Sequence, residues 1–262
     1  MGARGTGSGG VVTVVGAAAP SRREARRKET VDEIKTRARA HLAEHGPGGL
    51  SLRAVAREMG MSSAAIYRYF DNQSALIGAL CIDAYTALGD AIDAARTDVD
   101  SHDLQAQWWA MGHAIRQWTL AHPHDFALIF GTPIAGFHAD AAVTGPAASR
   151  ALLSPMVVYL AAVENGSADL TRCQIPELLA PGDLGAYLLD LQETALAKDI
   201  DRQHLLRIAA VGLNAWASIL GFLVSEQFGN LPRLVSSVDA LYDSHLRTVL
   251  CGMGFTESEQ HD

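Results

Sequence analysis

The chain has 262 residues, 48% of them hydrophobic and 19% charged, which is enough apolar material for a sizeable core and excludes an intrinsically disordered protein. Three cysteines (Cys81, Cys173, Cys251), none in a Cys-x-x-Cys pair, exclude a disulfide scaffold and point to a reduced, cytoplasmic setting. The net charge of −8 is unevenly spread: residues 1–70 carry 12 Lys/Arg against 6 Asp/Glu, and residues 71–262 carry 9 against 23. A basic head on an acidic body suggests that the head meets a polyanion.

In chain order, the Gly- and Ala-rich opening has a single apolar run, Val11 to Val15. That is too short for a secretory signal, so residues 1–21 are expected to be a disordered tail. Val31, Ile34, Ala38 and Leu42 then recur at helical spacing between Arg22 and Glu44, and His45-Gly46-Pro47-Gly48-Gly49 breaks the helix. Short helices are predicted over Leu52–Met59 and Ser63–Phe70, and a longer one over Gln73–Ala95, with Ser51, Ser62 and Asn72 as caps. Leu104–Ala121 reads as a helix, Pro123 opens another, and Gly131–Pro146 reads as a Gly/Pro/Ala-rich loop. Further helices are expected over Ala147–Val163, Gly185–Ala197, Asp201–Phe228 and Leu231–Gly252. The longest uncharged stretch, Ile208 to Val224, falls short of the roughly 20 apolar residues of a membrane span. The expected fold is all-α, away from any membrane.

Residues 51–70, SLRAVAREMGMSSAAIYRYF, hold the sharpest pattern. Two short helices joined at Gly60-Met61, with Val55, Ala56, Met59 and Ile66 inward, have the layout of a helix-turn-helix. The second helix opens on Ser62, Ser63, Ala64 and Ala65, small enough to bring backbone close to base edges. Tyr67, Arg68 and Tyr69 supply donors and aromatic faces along its flank.

From Ile34 to Leu80 the sequence resembles the TetR family of bacterial transcriptional regulators. The resemblance is carried by Leu50-Ser51-Leu52-Arg53, Val55-Ala56, Gly60-Met61-Ser62 and Ile66-Tyr67-Arg68-Tyr69-Phe70, closing with Leu76. It implies an N-terminal three-helix DNA-binding domain (22–72) and a larger helical effector-binding and dimerisation domain (73–253), with residues 254–262 as a disordered tail. By the same resemblance Ser51 caps the second helix beside a phosphate and Arg53 reaches a base or a phosphate. Ser63, Ala64 and Ala65 face the groove floor, and Tyr67 and Tyr69 grip the backbone. Gln73 stands where the family usually has Lys, and Tyr69 where His is common. DNA affinity would then lean on Arg53, Arg68 and the cluster Arg22, Arg23, Arg26, Arg27 and Lys28, although such a run is also what a solvated helix face looks like.

In the acidic body the resemblance implies that the last two helices pair with those of a second subunit. The residues point the same way: the penultimate helix is apolar nearly all round, so both its sides need cover. Ile208, Ala215, Trp216, Ile219 and Leu223, with Val238, Leu241, Tyr242 and Leu246 on the last helix, are the candidate interface. Trp108, Trp109, Met111, Trp118, Phe126, Phe130, Met156, Tyr159 and Tyr187 are candidates for an apolar effector cavity, against the plainer reading of ordinary core. His122, His124 and Asp125 lack metal-ligand spacing, and no nucleophile elbow, P-loop or dinucleotide fingerprint occurs. The expectation is a homodimeric, DNA-binding repressor on a near-palindromic operator, with no cofactor or metal, released by a small apolar effector. A ligand-independent regulator is the alternative, and a metal-dependent enzyme at His122/His124/Asp125 the remote one.

Overall fold

The computed structural model describes residues 21–46, 49–131, 137, 140–173 and 200–255. The expected helix at 185–197, with Tyr187, and most of both expected tails lie outside them. The helices are α1 (Arg22–His45), α2 (Leu52–Glu58), α3 (Ser63–Ile66), α4 (Gln73–Thr97), α5 (Leu104–Ala121), α6 (Pro123–Phe130), α7 (Ala141–Glu164), α8 (Arg202–Gln227) and α9 (Val238–Gly252). Among the described residues no strand forms; a lone bridge joins Ala168 to Phe255.

The helix ends follow from polar caps. Ser21 and Glu24 make a reciprocal capping box at α1, so Ser21 belongs to the helix start rather than to the tail. Side chains of Ser62, Asn72, Asp103, Asp140, Asp201 and Ser237 accept backbone N–H groups at α3, α4, α5, α7, α8 and α9. Ser51 makes no such bond at α2, contrary to its expected capping role. Gly60, at φ +65°, takes the left-handed conformation that turns α2 into α3.

Three expected boundaries are corrected. α3 stops at Ile66 and the chain continues in turns, with Tyr69 and Phe70 N–H groups both bonded to the Ile66 carbonyl. α7 starts at Ala141, six residues earlier than expected, because Asp140 caps it and Pro146 falls inside. The last helix is preceded by a separate 3-10 turn, Leu231–Arg233.

Among the described residues two large apolar cores form, with a small third cluster at Leu205 and Ala209. The head core joins Ile34 and Ala38 of α1, Val55 and Ala56 of α2, Ile66, Phe70, and Leu76, Ile77, Leu80 and Cys81 of α4. Burial pushes the Cys81 thiol up to about 11, so it stays a neutral packing group. The body core takes over along the same helix at Ala84, Leu88 and Ile92 and adds α5, α7, α8 and α9. The change of core thus falls inside α4, between Cys81 and Ala84, and not at its start. The ordered chain also runs past 253: Phe255 is buried and packs on Tyr159 at 6.0 Å between ring centres. By length and composition α4, α7 and α8 could each cross a membrane, but between 39% and 50% of their apolar windows is buried inside this fold.

Candidate nucleic-acid interface

The head presents one polar, exposed edge. On α2, Leu52, Val55 and Ala56 are buried, which leaves Arg53 and Arg57 in solvent. At α3, Ile66 is the inward anchor, while Ser62, Ser63, Ala64, Tyr67 and Arg68 are exposed and Ala65 and Tyr69 are half-buried. Tyr67 is 42% exposed, one of the few large side chains left uncovered. Gln73, at the start of α4, is exposed. Small residues at the tip and aromatic and basic groups behind them form a surface that a major groove can receive. Nothing internal competes for it: Arg53, Arg57 and Arg68 have no ion-pair partner among the described residues.

Electrostatics tie this edge to the body. Arg39 of α1 pairs with Asp83 of α4 at 2.9 Å and with Asp125 of α6 at 3.3 Å, and Lys35 pairs with the same Asp83 at 2.8 Å. Phe126 of α6 sits in the body core while Leu128 and Ile129 pack on the head core. The Tyr85 hydroxyl donates to the Ile129 carbonyl at 3.4 Å. α4 and α6 therefore each touch both cores.

These features have counterparts elsewhere. Residues 34–80 match the family described as bacterial regulatory proteins, tetR family, and residues 108–249 match the tetracyclin repressor-like C-terminal domain. The chain belongs to the TetR family. It is 28% identical over 233 residues to the HTH-type transcriptional regulator Rv1816 of Mycobacterium tuberculosis, covering 87% of this chain and 95% of that one. The regulator Mb1846 of Mycobacterium bovis matches to the same extent. Among solved structures, regulatory protein SCO4313 superposes with a TM-score of 0.65 at 30% identity, over 89% of this chain and 100% of that one. A tetR-family regulator from Rhodococcus RHA1, at 13% identity and a TM-score of 0.58, shares the fold over 87% of this chain and 99% of that one. This TetR-family chain is a DNA-binding transcriptional regulator and not an enzyme.

In the body of this TetR-family regulator the expected effector-site residues fall into buried and half-buried positions. Trp108, Met111, Trp118, Phe126, Met156 and Tyr159 are buried against their neighbours as packed core. Trp108 Nε1 donates to the Pro155 carbonyl at 3.0 Å and the Tyr159 hydroxyl to the Met253 carbonyl at 2.8 Å, so these polar tips are spent inside the fold. Phe130 is half-buried edge-on to Tyr85 and Trp216, and Trp109 lies under the Arg247 guanidinium at 5.2 Å. Among the described residues an open groove of about 730 Å³ lies between α4 and α7. Asp93, Arg96, Ser149, Arg150 and Ser154 line it with Leu153 and Val157, so it is amphiphilic rather than apolar. Sequence reading missed it because one wall, Ala141–Gly145, was expected to be loop.

The expected pairing residues are also redistributed. Ile208, Ala215, Ile219, Leu223, Tyr242 and Leu246 are buried within their own protomer, and Trp216, Val238 and Leu241 are half-buried. The Tyr242 hydroxyl donates to the Gly112 carbonyl at 2.6 Å, and Arg116, beneath the same ring, holds Glu226 with two bonds of 2.7 and 2.9 Å. Along their middles α8 and α9 leave small residues outward, Asn214, Ala217, Ser218 and Gly221 on one and Ala240, Ser244, Thr248 and Cys251 on the other, flanked by exposed Arg202 and Gln203 on α8 and by exposed Asp239 and Arg247 on α9. His122 and His124 are exposed, and among the described residues no group of three metal-type ligands occurs.

Proposed function

We propose that this regulator is a homodimeric, cytoplasmic repressor whose two heads engage successive major grooves of a near-palindromic operator. The carrying observation is that Arg53, Arg57, Ser62, Ser63, Ala64, Tyr67, Arg68 and Gln73 are exposed on a packed head core, the three arginines having no ion-pair partner among the described residues. Ser62, Ser63, Ala64 and Ala65 would lie on the groove floor, Tyr67, Arg68 and Tyr69 along the backbone, and Arg53 and Ser51 at the flanking phosphates, with Gln73 as an uncharged contact. The heads would stand about 34–36 Å apart, one turn of DNA.

Dimerisation is assigned to the outward stripe Asn214, Ala217, Ser218 and Gly221 with Ser244 and Thr248. Small side chains let two helices approach closely, and a two-fold contact places each stripe against its own copy. Release is assigned to a small effector in the groove between α4 and α7. Its binding would shift α4, whose first turns are part of the head core, and so change head spacing, provided the effector prefers one of the two states. A ligand-independent regulator is the second reading, favoured by the filled aromatic core of the body.

Selection of duplexes from a random pool, followed by gel-shift titration of wild type and Tyr67→Ala, tests the DNA assignment. Wild type should retain an inverted-repeat sequence and Tyr67→Ala should bind it at least tenfold more weakly. Recovery of no sequence, or an unchanged affinity, overturns it. A compound screen on the same complex separates the two readings: a ligand that weakens binding, with the effect lost in Arg96→Ala, supports release through the groove.

A further inference from the structure

We propose a second phosphate-binding element, an arginine groove between the start of α1 and the turn after α3 that holds the backbone of duplex DNA outside the segment α3 reads. This inference rests on the DNA-binding reading above and adds residues of α1 that precede the matched DNA-binding region, residues 34–80, to Arg68 and Tyr69 inside it.

The first turns of α1 are hard to explain by packing. From Arg22 to Glu29 every residue is exposed, and the first buried residue of the helix is Ile34. A helical segment without an apolar face gains nothing from tertiary burial, which is where most helix stability in proteins originates. Its composition adds a cost. Arg22 and Arg26, and Arg23 and Arg27, are like charges one turn apart, each pair unfavourable by a few tenths of a kcal/mol. The nearest acid does not relieve them, since the Glu24 carboxylate accepts the Ser21 N–H at 2.7 Å in the capping box. None of these arginines has an ion-pair partner among the described residues.

The strip is not a lone charged helix face, because the head supplies an opposite wall. Arg22, Arg23, Arg26, Arg27 and Thr30 face Arg68 and Tyr69 across a groove of about 660 Å³. Arg27 bridges the two walls: its Nη1 donates to the Arg68 carbonyl at 3.2 Å and its guanidinium lies 5.2 Å above the Tyr69 ring. It is a positioning residue that sets the angle of the α1 extension against the recognition element. Arg22, Arg23, Arg26 and Arg68 have no ion-pair partner among the described residues, and their guanidinium forks have the geometry that matches phosphate oxygens in pairs.

A continuous row of phosphates fits such a groove better than a single anion, because five cationic side chains crowd one space with no carboxylate among them. The row is already at hand, since Arg68 and Tyr69 directly follow the exposed Tyr67. From Arg22 to Ile34 the helix runs about 18 Å, and at about 3.4 Å of rise per base pair along one strand that spans roughly five base pairs of flank. The groove therefore takes the sugar-phosphate backbone beside each half-site and reads no base.

The test is a triple variant, Arg22→Ala/Arg23→Ala/Arg26→Ala, which removes three exposed side chains and should leave the far-ultraviolet circular dichroism unchanged. Wild type and variant are titrated against the duplex recovered by selection, at full length and with about five base pairs trimmed from each end, over a series of salt concentrations. Wild type should lose at least tenfold in affinity on trimming, and the variant should be nearly indifferent to it. The slope of log affinity against log salt should flatten by about 2 to 3 per head in the variant, since each phosphate contact contributes about 0.9. Equal trimming losses and equal slopes in the two proteins overturn the groove while leaving the reading of α3 intact. Failure of wild type to select any duplex overturns the DNA reading itself. Binding of wild type to vesicles of phosphatidylglycerol as tightly as to a random 30-base-pair duplex, lost in the triple variant, would reassign the groove to a membrane surface and overturn the proposal.

Discussion

The exposed arginines around the recognition edge of the head and the buried Arg116 of the body are used in opposite ways. In the head, Arg22, Arg23, Arg26, Arg53 and Arg68 are exposed and have no ion-pair partner among the described residues; in the body, Arg116 is 8% exposed and holds Glu226 and Asp239. Glu226 raises the Arg116 guanidinium above its ordinary range chiefly through direct hydrogen bonds. A solvated, unpaired cation stabilises little at home and is free to meet an external anion, whereas a desolvated one is committed to the fold. Charge at the surface of the head is thus available for recognition, and charge inside the body is structural.

The most severe way to break the contrast is Arg116→Ala. Removing one member of a buried pair strands the Glu226 carboxylate, at a cost of about 3–5 kcal/mol, or roughly 10 °C in Tm for a chain of this size. Thermal melts followed by circular dichroism would show it; a loss under 1 °C would mean that Glu226 rehydrates freely and the pair is not structural. Next in size is Ala217→Arg on the outward stripe of α8. The side chain is exposed in the protomer, so folding should persist, but two like charges would meet across the two-fold at a cost of several kcal/mol. Sedimentation equilibrium should give a monomer with native helicity, and a persisting dimer would move the interface elsewhere.

Arg53→Ala sharpens the contrast from the other side. Stability should change by less than about 0.5 kcal/mol, while operator affinity falls by about 1–3 kcal/mol if the contact is to a base, or the salt slope flattens by about 1 if it is to a phosphate. A large drop in Tm with unchanged binding would make Arg53 structural. The smallest effect concerns pH. Burial holds the imidazoles of His113 and His245 below their ordinary range; for His113, Asp243 opposes the shift and Arg116 adds to it. The unfolded chain then takes up protons that the fold resists, so stability is present above pH about 6.5 and is lost as the pH falls below it. Both side chains lie in the body, beside Tyr242. Hydrogen exchange at pH 5.5 should therefore show body amides losing protection before head amides, and His113→Gln/His245→Gln should reduce the difference; an earlier loss in the head would contradict this assignment.

Much of the head was readable from residue order because its determinants are local. Apolar spacing at Ile34, Ala38 and Leu42, the turn at Gly60, and the caps at Ser62 and Asn72 all act within a few residues of one another. The end of α3 was the exception. Ser63 to Phe70 looks uniformly helical, yet the chain leaves the helix after Ile66 and continues in turns, with Ile66 and Phe70 both in the head core. The Arg27 bridge to Arg68 and Tyr69, 41 residues on for the hydrogen bond, could not be seen in the order of residues at all.

In the body the amino-acid sequence by itself determined that the protein is all-α, where α5 begins and ends, and that α8 needs cover on both sides. Periodicity gives the apolar face of a helix but not the neighbour that covers it. Tertiary structure decided that Tyr242 and Leu246 turn into their own protomer, because Tyr242 finds the Gly112 carbonyl 130 residues away and Arg116 finds Glu226 110 residues away. It also decided that Trp108, Trp118, Phe126 and Tyr159 are buried in the body core and that a groove opens between α4 and α7, where the Asp140 cap carries a helix through a Gly- and Pro-containing stretch. Those outcomes depend on complementarity between surfaces far apart in the chain, and so they arise only when the helices are packed together.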